Sequence, residues 1–177
     1  MCSLSPFIKT DTPNDNYFNN LPPKTKESRT SKANKSTHLY FQTYAAAAQA
    51  NQAHSGVPAS ICLAQGFLES NQGKSYIARN ANNHFGIKCH KDWQGKTLYR
   101  ADDKPNECFR SYPNALDSYK AHSDFLLTNP RYNSLFALPA DDYRNWAKGL
   151  SQKGYATDTA YAEKLVSIIE KYGLDDY

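Results

Sequence analysis

A chain of 177 residues and 19.9 kDa can build one domain with a sizeable core but not two large ones. Its 40% apolar and 13% aromatic residues let most of it fold. The lack of any apolar run of about 18 residues excludes a membrane-spanning helix, and no apolar signal-peptide core is readable near the start. The net charge of +4 is unevenly placed: residues 1–38 carry six Lys/Arg against three Asp/Glu, and the rest carry 15 against 14. The folded part is therefore nearly neutral and lacks the basic stripe of a nucleic-acid binder.

Residues 1–37 are predicted to be a disordered tail or tether. Pro13, Pro22 and Pro23 break them, and Lys, Ser, Thr and Asn fill them without an apolar period. A domain is predicted over 38–177. Tyr40, Phe41, Tyr44 and Ala45–Ala48 fit a first helix, with Thr37 as N-cap and Gly56 as stop. A second helix opens with Pro58 in its first turn, carries Ile61, Ala64, Phe67 and Leu68, and closes at Gly73. Short strands are expected at 85–89, 96–100 and 107–111, separated by polar turns. Helical spacing then returns in Ala115, Tyr119, His122 and Leu126, in Tyr143, Trp146, Ala147 and Leu150, and in Tyr161, Leu165, Ile168, Ile169 and Tyr172. This order predicts an α+β domain, a mainly helical body with a small β-lobe flanking a groove suited to a polymer. The heavy Tyr content, 13 residues, fits a carbohydrate-binding groove and equally a hydrogen-bonded core.

Glu69 is the leading candidate for chemistry. It stands near the end of the stretch Ile61–Ser70, which is apolar almost all round, so this helix should be central and buried. Burial and the negative end of the helix dipole both disfavour its ionised form. A carboxyl kept protonated near neutral pH can act as general acid at a leaving oxygen. The alternative is an unremarkable surface Glu on a last helical turn.

The ordered segments Ala64-Gln65-Gly66-Phe67-Leu68-Glu69-Ser70, Gly73-Lys74-Ser75, Asn82-Asn83-His84-Phe85-Gly86-Ile87-Lys88, Cys108-Phe109-Arg110-Ser111-Tyr112, Ser118-Tyr119, His122-Ser123-Asp124-Phe125-Leu126 and Gly154-Tyr155-Ala156-Thr157-Asp158 resemble the glucosaminidase domain of glycoside hydrolase family 73. That family contains flagellar and autolysin peptidoglycan hydrolases. The resemblance runs from about residue 38 to the C-terminus. It implies a lysozyme-like fold, and a substrate in the glycan strand of bacterial peptidoglycan cut after N-acetylglucosamine. It implies Glu69 as the catalytic acid and Tyr155 as a residue of the site, where its hydroxyl would hold water or a substrate acetamido group. The alternative for Tyr155 is a ring packed on the core.

Many members place a second Glu in the β-lobe. Here Leu98-Tyr99-Arg100-Ala101-Asp102-Asp103 stands in its place. Asp102 or Asp103 is the candidate to activate water, or the two form a polar turn. Glu107 is the runner-up. A third route dispenses with a second carboxylate, because the substrate's own acetamido carbonyl can attack. Asn83 and Trp93 are candidate substrate-binding residues, by hydrogen bonding and by stacking on a sugar face; turn formation and lobe packing are their alternatives. Phe85, Trp146 and His122 are assigned to packing.

Cys89 and Cys108 flank two predicted strands and are expected to form a disulfide. A metal site built from Cys89, His90, Cys108 and His84 is the weaker alternative, since no Cys-x-x-Cys spacing supports it. Cys62 reads as an inert core thiol. Cys2 is either an exposed remnant or a lipid-attachment point for the tail. No cofactor and no metal is expected, and a monomer is. The disulfide and the substrate class together point to the bacterial envelope, periplasmic or lipid-anchored, or to secretion. The competing functions are a muramidase or lytic transglycosylase on the same polymer, and a non-catalytic wall-binding module.

Overall fold

The computed structural model describes residues 35–91, 93–101 and 105–177, with side chains from residue 38 onward. The predicted tail and Cys2 lie outside these residues.

The axis of the fold is helix α2 (Ala59–Glu69), in which every residue from Ala59 to Phe67 is buried. So apolar a helix has no solvent face to offer, and it is wrapped by α1 (Lys35–Ser55), α4 (Ala115–Thr128), α5 (Tyr143–Gln152), α6 (Tyr161–Tyr172) and the 3-10 turn Leu174–Asp176. Pro58 sits immediately before α2 rather than inside its first turn. The free amide of Ala59 is capped from α1 by Gln52 Oε1 at 2.6 Å, which satisfies one of the donors that a helix start leaves open. Around α2 pack Phe41, Tyr119, Leu126, Tyr132, Trp146, Leu150, Leu165 and Ile169, all at most 2% exposed.

A second buried layer is polar. The Tyr40 hydroxyl lies 2.9 Å from that of Tyr119 and 3.0 Å from His84 Nδ1. Gly66 of α2 lets both hydroxyls approach the helix: a Cβ there would stand 2.6 Å from Tyr119 Oη and 3.0 Å from Tyr40 Oη. Tyr40 and Tyr119 are thus hydrogen-bonded as well as packed.

The lobe is smaller than predicted. Strands β1 (Thr97–Arg100) and β2 (Glu107–Arg110) pair antiparallel, with Leu98 opposite Phe109 and Tyr99 opposite Cys108. The expected strand at 85–89 is reduced to a single bridge between Lys88 and Phe109. Asn83 explains this. Its side chain accepts from Ile87 N and donates to Ile87 O, which bends the segment into a turn stapled to itself. A short helix not foreseen, α3 (Tyr76–Ala81), is capped by Ser75 and leads from the end of α2 into the lobe. A 3-10 helix over Pro130–Ala137, capped by Asn129, follows α4. The Cys89–Cys108 disulfide is formed, with Cα atoms 5.3 Å apart, and it consumes both thiolates of the alternative metal site. Cys62 is buried and free. Among the described residues no helix is long and apolar enough to cross a membrane.

Candidate active site

Helix α2 stops sharply after Glu69. Asn71, Gln72 and Gly73 take left-handed φ values of 49°, 61° and 74°. For Asn71 and Gln72 this is a conformation that costs a non-glycine residue about 1–2 kcal/mol. Ser70 holds the turn, donating to Gly66 O and accepting from Gly73 N. The chain then runs through α3 to β1, so Glu69 stands where the helical body passes into the lobe.

The Glu69 side chain is open to solvent, but one end of its carboxyl is pressed against protein. Tyr161, the first residue of α6, donates its hydroxyl hydrogen to Oε1 at 3.0 Å. Tyr155 stacks on the Tyr161 ring, with centroids 5.6 Å apart and planes within 19°. Desolvation by this wall pushes the carboxyl above its usual range, and the Tyr161 hydrogen bond pulls it part of the way back. Behind Tyr161, the fully buried Gln65 donates through Nε2 to the Tyr161 hydroxyl at 3.0 Å. Gln65 and Glu69 are four apart on one helix and face the same way.

Tyr155 lies beside this group. Burial, and after it the nearby Tyr161 and Glu69, holds its phenol well above the ordinary range, so it remains a neutral donor. The structure places Glu69, Tyr155, Tyr161 and Gln65 in one group; from the sequence, Tyr161 and Gln65 are assigned only to core or motif.

The other predicted residues divide. Asp102 and Asp103 lie outside the described residues. Glu107 is tied to Lys88 Nζ at 2.9 and 3.0 Å in the lobe, which fits a lobe-internal role. Asn83 is 1% exposed, and its amide is spent on Ile87 O, Arg110 O and Ile87 N at 2.9–3.0 Å, which fits the turn-forming alternative. Trp93 lies in the lobe. Its indole N–H donates to Lys96 O at 2.9 Å, the Arg110 guanidinium lies over its ring at 4.7 Å, and Tyr112 meets it edge-on at 5.7 Å. These contacts fit the lobe-packing alternative for a ring that is half-buried. His122 is buried against Phe85, with centroids 4.1 Å apart, and Trp146 is 1% exposed. A shallow depression between α5 and α6, lined by Arg144, Lys148, Glu163 and Glu170 among others, contains none of the site residues. Among the described residues no group of three or more His, Cys, Asp or Glu could hold a metal ion.

Comparison with known proteins decides the family. The sequence model of the glucosaminidase family, described as mannosyl-glycoprotein endo-beta-N-acetylglucosaminidase, matches residues 45–174. The chain belongs to this family. The glucosaminidase domain is 35% identical over 127 residues to the peptidoglycan hydrolase FlgJ of Vibrio parahaemolyticus, covering 66% of this chain and 41% of that protein. It is 34% identical over 129 residues to the exo-glucosaminidase LytG of Bacillus subtilis, covering 67% of this chain and 45% of that protein. The chain thus spans less than half the length of these curated relatives. Among solved structures, the catalytic domain of the autolysin Auto from Listeria monocytogenes superposes with a TM-score of 0.72 at 26% identity, covering 84% of this chain and 91% of that one. The lysozyme-like α+β fold implied by the sequence resemblance is the one found, and the domain is that of a glycoside hydrolase.

Proposed function

We propose that this glucosaminidase domain hydrolyses the glycan strand of bacterial peptidoglycan, acting as an endo-β-N-acetylglucosaminidase that cuts after N-acetylglucosamine with Glu69 as general acid. The observation that supports this most directly is the Glu69 carboxyl itself: solvent-open at the end of a buried helix, held at one oxygen by Tyr161, and pushed upward in pKa by its surroundings. Such a group retains a proton at higher pH than a free carboxylate. It can hand that proton to the bridging oxygen as the bond from that oxygen to C1 breaks. The leaving sugar departs as a neutral alcohol, and Glu69, now a carboxylate, is placed to take a proton from the water that completes hydrolysis.

Two sources remain for the attack on C1. Asp102 or Asp103, just after β1, would activate water; alternatively the acetamido carbonyl of the sugar itself attacks, and no second carboxylate is needed. The Lys88 ion pair argues against Glu107 in this part. Tyr155, whose hydroxyl carries no hydrogen bond among the described residues, is proposed to hold the water or the acetamido group. Action at the bacterial envelope or outside the cell accords with the disulfide.

The test is digestion of purified sacculi with mass spectrometry of the products. New reducing-end N-acetylglucosamine on internal fragments is expected. Reducing N-acetylmuramic acid or an anhydro sugar would move the cut to the other bond. Release from chain ends alone would make the enzyme exo-acting, as the name of the B. subtilis relative describes that protein. Sedimentation with sacculi and no fragments at any pH would leave a wall-binding module.

A further inference from the structure

The geometry points to Gln65 and Tyr161 as positioning residues that decide which oxygen of Glu69 carries the transferable proton: they make Oε1 a permanent acceptor and leave the hydrogen to Oε2. This rests on the proposed acid role of Glu69 and specifies it to the atom.

A phenol has one hydrogen. Gln65 Nε2 donates to the Tyr161 oxygen at 3.0 Å, so the hydrogen of Tyr161 is free for a second partner, and Glu69 Oε1 stands 3.0 Å away. With Oε1 accepting, the single O–H of a protonated carboxyl belongs on Oε2. The opposite wiring would turn the Gln65 amide over, point the Tyr161 hydrogen back at Gln65, and let a protonated Glu69 donate its hydrogen to the Tyr161 oxygen rather than toward a substrate. That arrangement would leave the buried Gln65 NH2 without an acceptor. The present one leaves Gln65 Oε1 without a donor, and an orphaned carbonyl oxygen is tolerated more often than an orphaned N–H.

The parts are rigid. Gln65 is fully buried and Tyr161 is 2% exposed. The Tyr155 ring stacks on that of Tyr161, and α2 packs directly on α6. Tyr161 of α6 faces the carboxyl directly; the titratable groups around Tyr161 and Tyr155 are Tyr132 of the 3-10 helix and, next to Tyr155, Cys62 of α2. His122 of α4 meets the Tyr155 ring at 6.0 Å. Burial holds the phenols of Tyr155 and Tyr161 and the Cys62 thiol neutral and pushes His122 down to about 3, so none of these four competes for the Glu69 proton near neutral pH. A polarised chain of donors also strengthens its last link, so Gln65 acts on Glu69 only through Tyr161.

The test follows the Glu69 carboxyl carbon by 13C NMR titration in the wild type, Tyr161→Phe, Gln65→Met and the double variant. The resonance is assigned with Glu69→Gln, and folding is checked by circular dichroism. Tyr161→Phe should move the titration midpoint upward, because the carboxylate loses its donor. Gln65→Met should move it upward by less, and the double variant should match Tyr161→Phe. On sacculi, the alkaline limb of the kcat profile should move with the midpoint, and kcat on the plateau should fall roughly tenfold or more with KM little changed. Unshifted midpoints in folded variants, or additive shifts from Gln65 and Tyr161, would overturn the relay. If the midpoints behave as stated but the wild type releases no fragments, the relay stands and the hydrolase reading falls.

Discussion

Gly66→Ala should destabilise the domain, against the ordinary rule for a helix. Glycine in a helix interior is worth about 1 kcal/mol less than alanine, and α2 at Gly66 is regular helix. On that ground alone the substitution would stabilise. The structure reverses the sign. The new methyl would stand 2.6 Å from Tyr119 Oη, 3.0 Å from Tyr119 Cζ and 3.0 Å from Tyr40 Oη. Neither ring has room to swing: Tyr119 is fully buried, Tyr40 is 5% exposed, and their hydroxyls are bonded to each other, that of Tyr40 also to His84. Overpacking of this kind costs about 1–3 kcal/mol, and separating the two hydroxyls removes about 1 kcal/mol more. The net loss expected is about 1–3 kcal/mol. Urea unfolding, followed by near-UV circular dichroism, measures it. Tyr119→Phe removes the closest atom, so it should be less damaging in the Gly66→Ala background than in the wild type. Gly66→Ala unfolding at or above the wild-type midpoint would refute the claim that two tyrosine hydroxyls occupy the space beside α2.

Breaking the Cys89–Cys108 disulfide, which spans 19 positions, should lower stability by about 3 kcal/mol on the loop-entropy relation. Hydrogen exchange should localise the loss to β1 and β2, and a uniform loss across the helices would contradict the lobe's dependence on this tie. Stability should also fall in acid through His84 and His122, which burial pushes down to about 4 and about 3 from 6.5. Between pH 6.5 and those values the unfolded chain binds more protons than the folded one, so stability present above 6.5 is lost as the pH falls. Urea midpoints at several pH values in a Glu69→Gln background measure this cleanly, because the raised Glu69 carboxyl acts with the opposite sign. A flat profile from pH 7 to 4 would show the imidazoles to be hydrated.

What the sequence makes legible follows from range. The nearly all-apolar α2 and the carboxyl at its end are visible because helix, burial and dipole are local facts. The lobe disulfide is visible because two cysteines flank neighbouring strands. Tyr161 is not visible as a site residue. Its spacing with Leu165, Ile169 and Tyr172 marks a core face, and nothing local says that its hydroxyl meets a carboxyl 92 positions away. The one hint is Gln65, a polar side chain in an otherwise apolar helix, four residues before Glu69. Asn83 and Trp93 are ambiguous for the opposite reason: residue types that suit sugars also suit turns and small cores, and here Ile87, Arg110 and Lys96 claim their polar atoms. The segment 85–89 has strand-like composition, but the Asn83 side chain captures its backbone first.

The central claim is that Glu69 delivers the proton that cleaves the glycan. Turnover of sacculi by a folded Glu69→Gln variant, at the wild-type pH optimum, tests it most directly. The amide keeps the shape and the acceptor for Tyr161 but has no acidic hydrogen. The account predicts a fall of about 10²–10⁴-fold in fragment release with binding to sacculi retained. Fragment release by that variant within tenfold of the wild type would place the acid elsewhere.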